Sequence, residues 1–172
     1  MLWSTQGRVA RMDQGGTMPF DRIDLKILDL LQHDATMPVA RIADRVGLSQ
    51  TPCWKRIQKH EEAGTIRGRV ALLDPDAFGL GVTAFVSLET AEHSAAWRSA
   101  FLRAVDEIEA IRDVYRMAGS YDYLLRVVVP DMAAFDRFYE ALTSAVTLRK
   151  VETVFALERL RDRTTLPLGT VE

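Results

Sequence analysis

The sequence predicts an α+β protein in two modules, a helix-turn-helix followed by a βαββαβ domain, and three observations carry that prediction. Apolar residues recur with helical spacing in three runs between Phe20 and Ala63, two of them joined by a one-glycine turn. From Val82 onward, apolar runs with β-strand character alternate with two amphipathic helical stretches in the order strand, helix, strand, strand, helix, strand. Charge divides along the same line: residues 1–73 carry a net +3 and residues 74–172 a net −5, which together make the overall −2.

Residues 1–18 are rich in Gly and polar residues, show no period, and include Met12 and Met18 as later start positions; they read as a disordered arm or a misplaced start. The first helix follows, with Asp21 placed to cap it, Asp24 in its first turn, and Phe20, Ile23, Ile27, Leu28, Leu30 and Leu31 on one broad face to about His33. A second helix opens at Pro38, sets Val39, Ile42, Ala43 and Val46 at i, i+3, i+4 and i+7, and stops at Gly47. Ser49 is a good N-cap for a third helix running to about Ala63, with Pro52 tolerated in its first turn and Gly64 closing it. Two helices joined so tightly form a helix-turn-helix, placing this module at residues 19–65.

A β-like segment from Ile66 to Leu73 and a break at Asp74-Pro75 make residues 66–78 a hinge. In the second module, residues 79–166, the expected strands are Val82–Glu89, Ile111–Met117, Asp122–Val129 and Val151–Glu158. Ser94 caps one helix with Trp97, Phe101, Leu102 and Val105 on its inner face, and Asp131 caps another burying Phe135, Phe138, Tyr139 and Leu142. Residues 167–172 remain as a tail. The order implies an antiparallel sheet with both helices on one face. In the third strand both registers are rich in apolar residues, Tyr123, Leu125, Val127 and Val129 alternating with Leu124, Arg126 and Val128, so the second face also needs cover, and a second copy of the chain is the natural source.

Composition removes several function classes. Cys53 is the single cysteine and His33, His60 and His93 the only histidines, so neither a disulfide nor a metal-ligand spacing is present and no metal or cofactor is expected. No run approaches a membrane span and the start lacks a signal-peptide core, which predicts a cytoplasmic, nucleoid-associated protein. No Ser/His/Asp arrangement, Walker loop or dinucleotide fingerprint supports an enzyme; a catalytic dimeric α+β barrel stands only as an alternative.

The third helix carries the chemistry of a DNA reader. At 100° per residue, Cys53, Ile57 and His60 face inward, while Thr51, Lys55, Gln58 and Lys59 face outward. Lys meets guanine edges or phosphates, Gln pairs with adenine, and Thr meets a thymine methyl or a phosphate. Ser49, Gln50, Pro52 and the first-turn amides sit where phosphate is held, with Trp54 and Arg56 flanking the face. Residues 39–69 carry a local +4, and Arg41, Arg45, Arg67 and Arg69 are placed either to clamp phosphate or to stand as solvated charges. A helix-turn-helix used for protein contacts is the competing reading.

These residues resemble the Lrp/AsnC (leucine-responsive, feast/famine) transcriptional regulators over Asp21 to Pro167. The resemblance is carried by Asp21-Arg22-Ile23-Asp24, by Val46-Gly47-Leu48-Ser49 with Thr51-Pro52-Cys53 and Arg56, by Ala71-Leu72-Leu73-Asp74-Pro75, and by Gly119-Ser120-Tyr121-Asp122-Tyr123-Leu124. It implies a winged-type helix-turn-helix joined to a ferredoxin-like (RAM/ACT-like) domain. It also implies a homodimer assembling further, commonly to octamers, on double-stranded promoter DNA, with an amino-acid effector held between dimers. The same likeness places Gly119, Ser120, Tyr121, Asp122 and Tyr123 in the effector wall with Met117 and Phe155 nearby, Asp122 receiving an α-ammonium or serving as a turn acceptor. Thr51-Pro52-Cys53-Trp54-Lys55-Arg56, Gly79 to Val86, and His93-Ser94 with Trp97 resemble the cysteine-sensing subgroup, so cysteine is the leading effector. Two residues depart from the pattern: Ser120 stands in place of an acidic residue and His60 in place of Leu.

Overall fold

The computed structural model describes residues 20–170, so the arm expected at 1–18 and the last two residues lie outside the described chain. The described residues divide into two compact units, 20–70 together with 163–170, and 71–162.

The first unit contains α1 (Arg22–His33), α2 (Val39–Val46) and α3 (Gln50–Glu62). A capping box starts α1: Asp21 Oδ1 accepts from the Asp24 N–H at 2.7 Å and Asp24 Oδ2 from the Asp21 N–H at 3.2 Å, pairing two amides that the helix cannot. Gly47 ends α2 with φ +72°, a conformation costly for a residue bearing Cβ, and the Leu48 N–H returns to the Ala43 carbonyl at 3.0 Å. Ile27, Leu31, Ile42, Ala43, Cys53 and Ile57 form the core, with Cys53 a small apolar filler whose thiol pKa is raised by burial.

One expectation is not met. Ile66–Leu73 is not a strand: among the described residues no other strand pairs with it, and Val70, Leu72 and Leu73 are about 70% exposed. A β-strand depends on a neighbour for its N–H and C=O groups, so residue preference alone did not make one. Residues 163–170 lie in the first unit, where the Gln32 side-chain amide pairs with both polar groups of Leu166, donating to its carbonyl at 2.9 Å and accepting from its N–H at 2.8 Å.

In the second unit, a 3-10 turn (Pro75–Phe78) capped by Asp74 precedes β1 (Val82–Thr90), α4 (Ala95–Glu107), β2 (Ile111–Arg116), β3 (Tyr123–Val129), α5 (Met132–Ala145) and β4 (Leu148–Phe155). The strands form one antiparallel sheet in the order β2-β3-β1-β4. This is the ferredoxin-like arrangement anticipated from the element order. The last strand starts and ends three residues earlier than the pattern suggested. Its extent is set by what β1 offers, Leu148 lying opposite Thr90 and Phe155 opposite Ala84, with one further bond from the Ala156 N–H to the Thr83 carbonyl.

Ala84, Val86 and Leu88 of β1 and Leu125, Val127 and Val129 of β3 point into a core shared with Trp97, Phe101, Phe138 and Leu142. Leu102 and Tyr139 do not join it, being 50% and 38% exposed. In α4 the buried positions are Trp97, Phe101 and Ala104, at i, i+4 and i+7, and Leu102 falls outside that arc. On the opposite sheet face, Phe85, Leu124 and Val128 are half-buried and Tyr115 and Val154 exposed, with an Arg126–Asp113 pair at 2.5 Å among them.

Phe101 is fully buried and its ring lies 4.6 Å from Tyr123 and 5.1 Å from Trp97. Phe101→Ala should therefore cost about 3–5 kcal/mol in urea unfolding; a loss below about 1 kcal/mol would contradict this packing.

Candidate DNA-binding helix and amino-acid turn

Helix α3 divides as its sequence suggests. Cys53, Ile57 and His60 are buried, Thr51, Pro52, Trp54, Lys55 and Lys59 are exposed, and Gln58 is half-buried. Ser49 occupies the N-cap position without making a side-chain capping bond, and it is exposed together with Gln50, leaving its hydroxyl and the first-turn amides available to an anion. Arg41 and Arg45 of α2 are exposed, as is Arg67, whereas Arg69 pairs with Glu61 at 2.8 Å.

Arg56, which flanks the outward face, forms a structural tie to the first helix. Its Nη1 donates to Asp21 Oδ2 and to Asp24 Oδ1, each at 2.6 Å, so the guanidinium fastens α3 to the capping box of α1. Burial works to raise the Asp24 pKa, but the hydrogen bonds from Arg56 and the Asp21 backbone outweigh it and hold the carboxyl below its ordinary value. His60 Nε2 approaches the same Asp24 Oδ1 at 3.3 Å but out of line for a hydrogen bond, and has no other bond among the described residues.

In the second unit the loop 117–122 joins β2 to β3. The Met117 N–H donates to the Asp122 carbonyl at 2.8 Å and the Asp122 N–H to the Leu88 carbonyl at 2.8 Å. The Asp122 carboxylate accepts from the Thr90 N–H at 2.8 Å, and that bond is the main reason its pKa is lowered. Met117, Gly119 and Ser120 are exposed around it. Tyr121 reaches across to β4, where its hydroxyl accepts from Lys150 Nζ at 2.7 Å and donates to Glu152.

Two expected members of the effector wall lie elsewhere within the single chain. The Tyr123 ring is packed against Phe101 and Trp97, because Tyr123 stands opposite Leu88 on the inward face. Phe155 lies opposite Ala84, four residues along β1 from Leu88, or about 13 Å at the strand rise, and its ring sits edge-on to Phe135. The β4 residue level with the turn is Val151, opposite Leu88. Thr90, Lys150 and Glu152 carried no local motif; only strand register brings them to the turn.

Comparison with known proteins agrees with both halves of this description. Residues 20–59 match the AsnC-type helix-turn-helix domain and residues 83–166 the Lrp/AsnC ligand binding domain. The chain belongs to the Lrp/AsnC family of transcriptional regulators. Within that family it is 47% identical over 148 residues to a glutamate uptake regulatory protein of Zymomonas mobilis, covering 86% of this chain and 90% of the relative. It is 46% identical over 149 residues to the DNA-binding transcriptional activator DecR of Escherichia coli K12, covering 86% and 98%. A Neisseria meningitidis regulator solved as a complex with L-Met superposes with a TM-score of 0.82 at 30% identity, over 89% of this chain and 99% of that one. The family is one of regulators rather than enzymes, and the chain combines an AsnC-type helix-turn-helix domain with an Lrp/AsnC ligand binding domain.

The Arg56 tie separates stability from DNA contact. Arg56→Ala should lower stability at neutral pH by about 1–2 kcal/mol, allowing for a half-exposed guanidinium, while exposed Lys59→Ala should stay within about 0.5 kcal/mol. Because the folded Asp24 pKa lies below its ordinary 3.8, the carboxylate stabilises the fold above that value and ceases to do so as pH falls through the folded pKa. The difference between wild type and Arg56→Ala should shrink over that acid range in pH-dependent urea melts. A difference that stays constant down to pH 2 would contradict the tie.

Proposed function

We propose that the protein regulates promoters in the cytoplasm, reading duplex DNA with the outward face of α3, and that a small amino acid bound at the 117–122 turn modulates this binding, cysteine being the leading effector. The observation that carries the effector reading is the Asp122 carboxylate. It is held charged by the Thr90 N–H at the base of an exposed turn, so it offers an anion to an α-ammonium, and amides of the turn are the donors we assign to the ligand carboxylate. The L-Met complex of the Neisseria regulator supports an amino acid as the ligand class. The resemblance of Thr51 to Arg56 and of His93-Ser94 to cysteine-sensing regulators supports cysteine.

The open sheet face, with Phe85, Leu124, Val128, Tyr115 and Val154, is the surface through which two copies pair, and dimers assemble further to species such as octamers. Two helix-turn-helix units then meet half-sites about 34 Å, or a multiple of that, apart.

Thermal melting against the twenty amino acids, with a non-amino-acid thiol as control, tests the effector reading. A ligand at a hundred times its Kd should add about 2.7 kcal/mol, and Asp122→Ala should abolish the shift. A response to an amino acid other than cysteine rejects the subgroup, and no response to any rejects the sensor. For DNA, contact with six to ten phosphates predicts roughly a 10³- to 10⁵-fold loss of affinity between 50 and 200 mM salt; a flat response would contradict it. Lys59→Ala should weaken binding to all sequences, and Gln58→Ala should relax one base position by about 1–3 kcal/mol. Light scattering at micromolar concentration should show dimers or larger species, and monomer alone would reject the sheet interface.

A further inference from the structure

Thr90, the last residue of β1, is buried and fixes two ionisable side chains at once. Its N–H donates to Asp122 Oδ2 at 2.8 Å, and its hydroxyl lies 3.3 Å from His93 Nδ1. The far side of the imidazole is thereby turned toward the turn: His93 Nε2 lies 3.9 Å from Asp122 Oδ1, the carboxylate oxygen other than the one that accepts the Thr90 N–H. His93 is 74% exposed and Asp122 29%, so solvent and solutes reach both. The other charged groups around the pair are Glu92, which accepts from the Ser94 hydroxyl at 2.8 Å, and Arg116 at the end of β2, whose charge acts on Asp122.

We propose that His93 belongs to the effector site as the resident competitor of the ligand: when protonated it pairs with Asp122 Oδ1, and an incoming α-ammonium takes that place. This rests on the reading of the turn as the amino-acid site. One carboxylate oxygen faces two candidate cations. An ammonium bonded to Oδ1 at ordinary distance stands within about 4–6 Å of the imidazole, where like charges repel and the neutral ring is favoured. Occupation by the amino acid therefore expels a proton from His93, and by linkage a more acidic solution weakens the effector. The direction follows from the sign: the free site tolerates protonated imidazole and the occupied site disfavours it, so affinity rises with pH over the range in which histidine loses its charge and is level above it.

Isothermal titration calorimetry on the full chain with L-cysteine, L-methionine and L-glutamate, from pH 5.5 to 7.5, tests this. Over that range the ligand ammonium and carboxylates keep their charge and the cysteine thiol is mostly protonated. The wild type should bind more weakly as pH falls, by up to about tenfold per unit. In buffers of different ionisation enthalpy it should release up to one proton on binding. His93→Gln, at an exposed position, should bind with no such slope and no proton release. Parallel pH profiles for wild type and His93→Gln would overturn the proposal, as would loss of binding in His93→Gln at pH 7.5, since a competitor is not required for affinity. If none of the three amino acids binds either protein at any pH, the reading of the turn fails with it, an outcome distinct from binding without proton linkage.

Discussion

Strand β1 is hydrogen-bonded along both edges, to β3 on one side and β4 on the other, and the second unit depends on its register. Its side chains alternate, so a slip of one residue would turn Ala84, Val86 and Leu88 out of the core and bring Phe85 and Ser87 in. The same register places Thr90 at the strand end, beside Asp122. Core packing and the geometry of the turn are thus one constraint: what holds Leu88 against Tyr123 and Val151 also sets the Thr90 N–H on the carboxylate. Leu88, deep in the core, and Thr90, which holds the Asp122 carboxylate, are two positions apart on one strand.

The first unit has its own version of this economy. Asp21 and Asp24 close the start of α1 through a capping box, and their remaining oxygens receive Arg56 from α3. The helix that presents Lys55, Gln58 and Lys59 is therefore oriented from its inner side by an ion pair as well as by Cys53 and Ile57. Arg56 uses its Nη1 for this role. The basic character of α3 outside comes from its lysines, with the N-terminal amides and the exposed arginines of α2 beside them.

Much of this was legible in the residues, because local chemistry decides it. Asp21, Pro38, Gly47, Ser94 and Asp131 mark helix ends through caps and backbone preference, and the order of strands and helices implies the sheet topology. Failures cluster where a partner decides. Ile66–Leu73 has the residues of a strand and no neighbour; β4 is cut to the length β1 supports; Leu102 and Tyr139 are apolar enough for a core that lies on another side of their helices. Within the site, Asp122 and its turn stood out as a contiguous motif. Thr90 did not, and neither did the approach of His93 to Asp122 or the distance of Phe155 from the turn, because these follow from register between strands far apart in sequence.

In the proposed function one unit binds DNA and the other binds an amino acid, with the two linked in free energy. The direct measurement is DNA affinity, by fluorescence anisotropy at fixed salt, with and without saturating amino acid, in wild type and Asp122→Ala. Linkage predicts a shift of about 5- to 150-fold in the wild type, absent in Asp122→Ala, and the same factor when effector affinity is measured with and without DNA. A DNA affinity that no amino acid alters would contradict the account, leaving a DNA-binding protein whose second unit serves assembly alone.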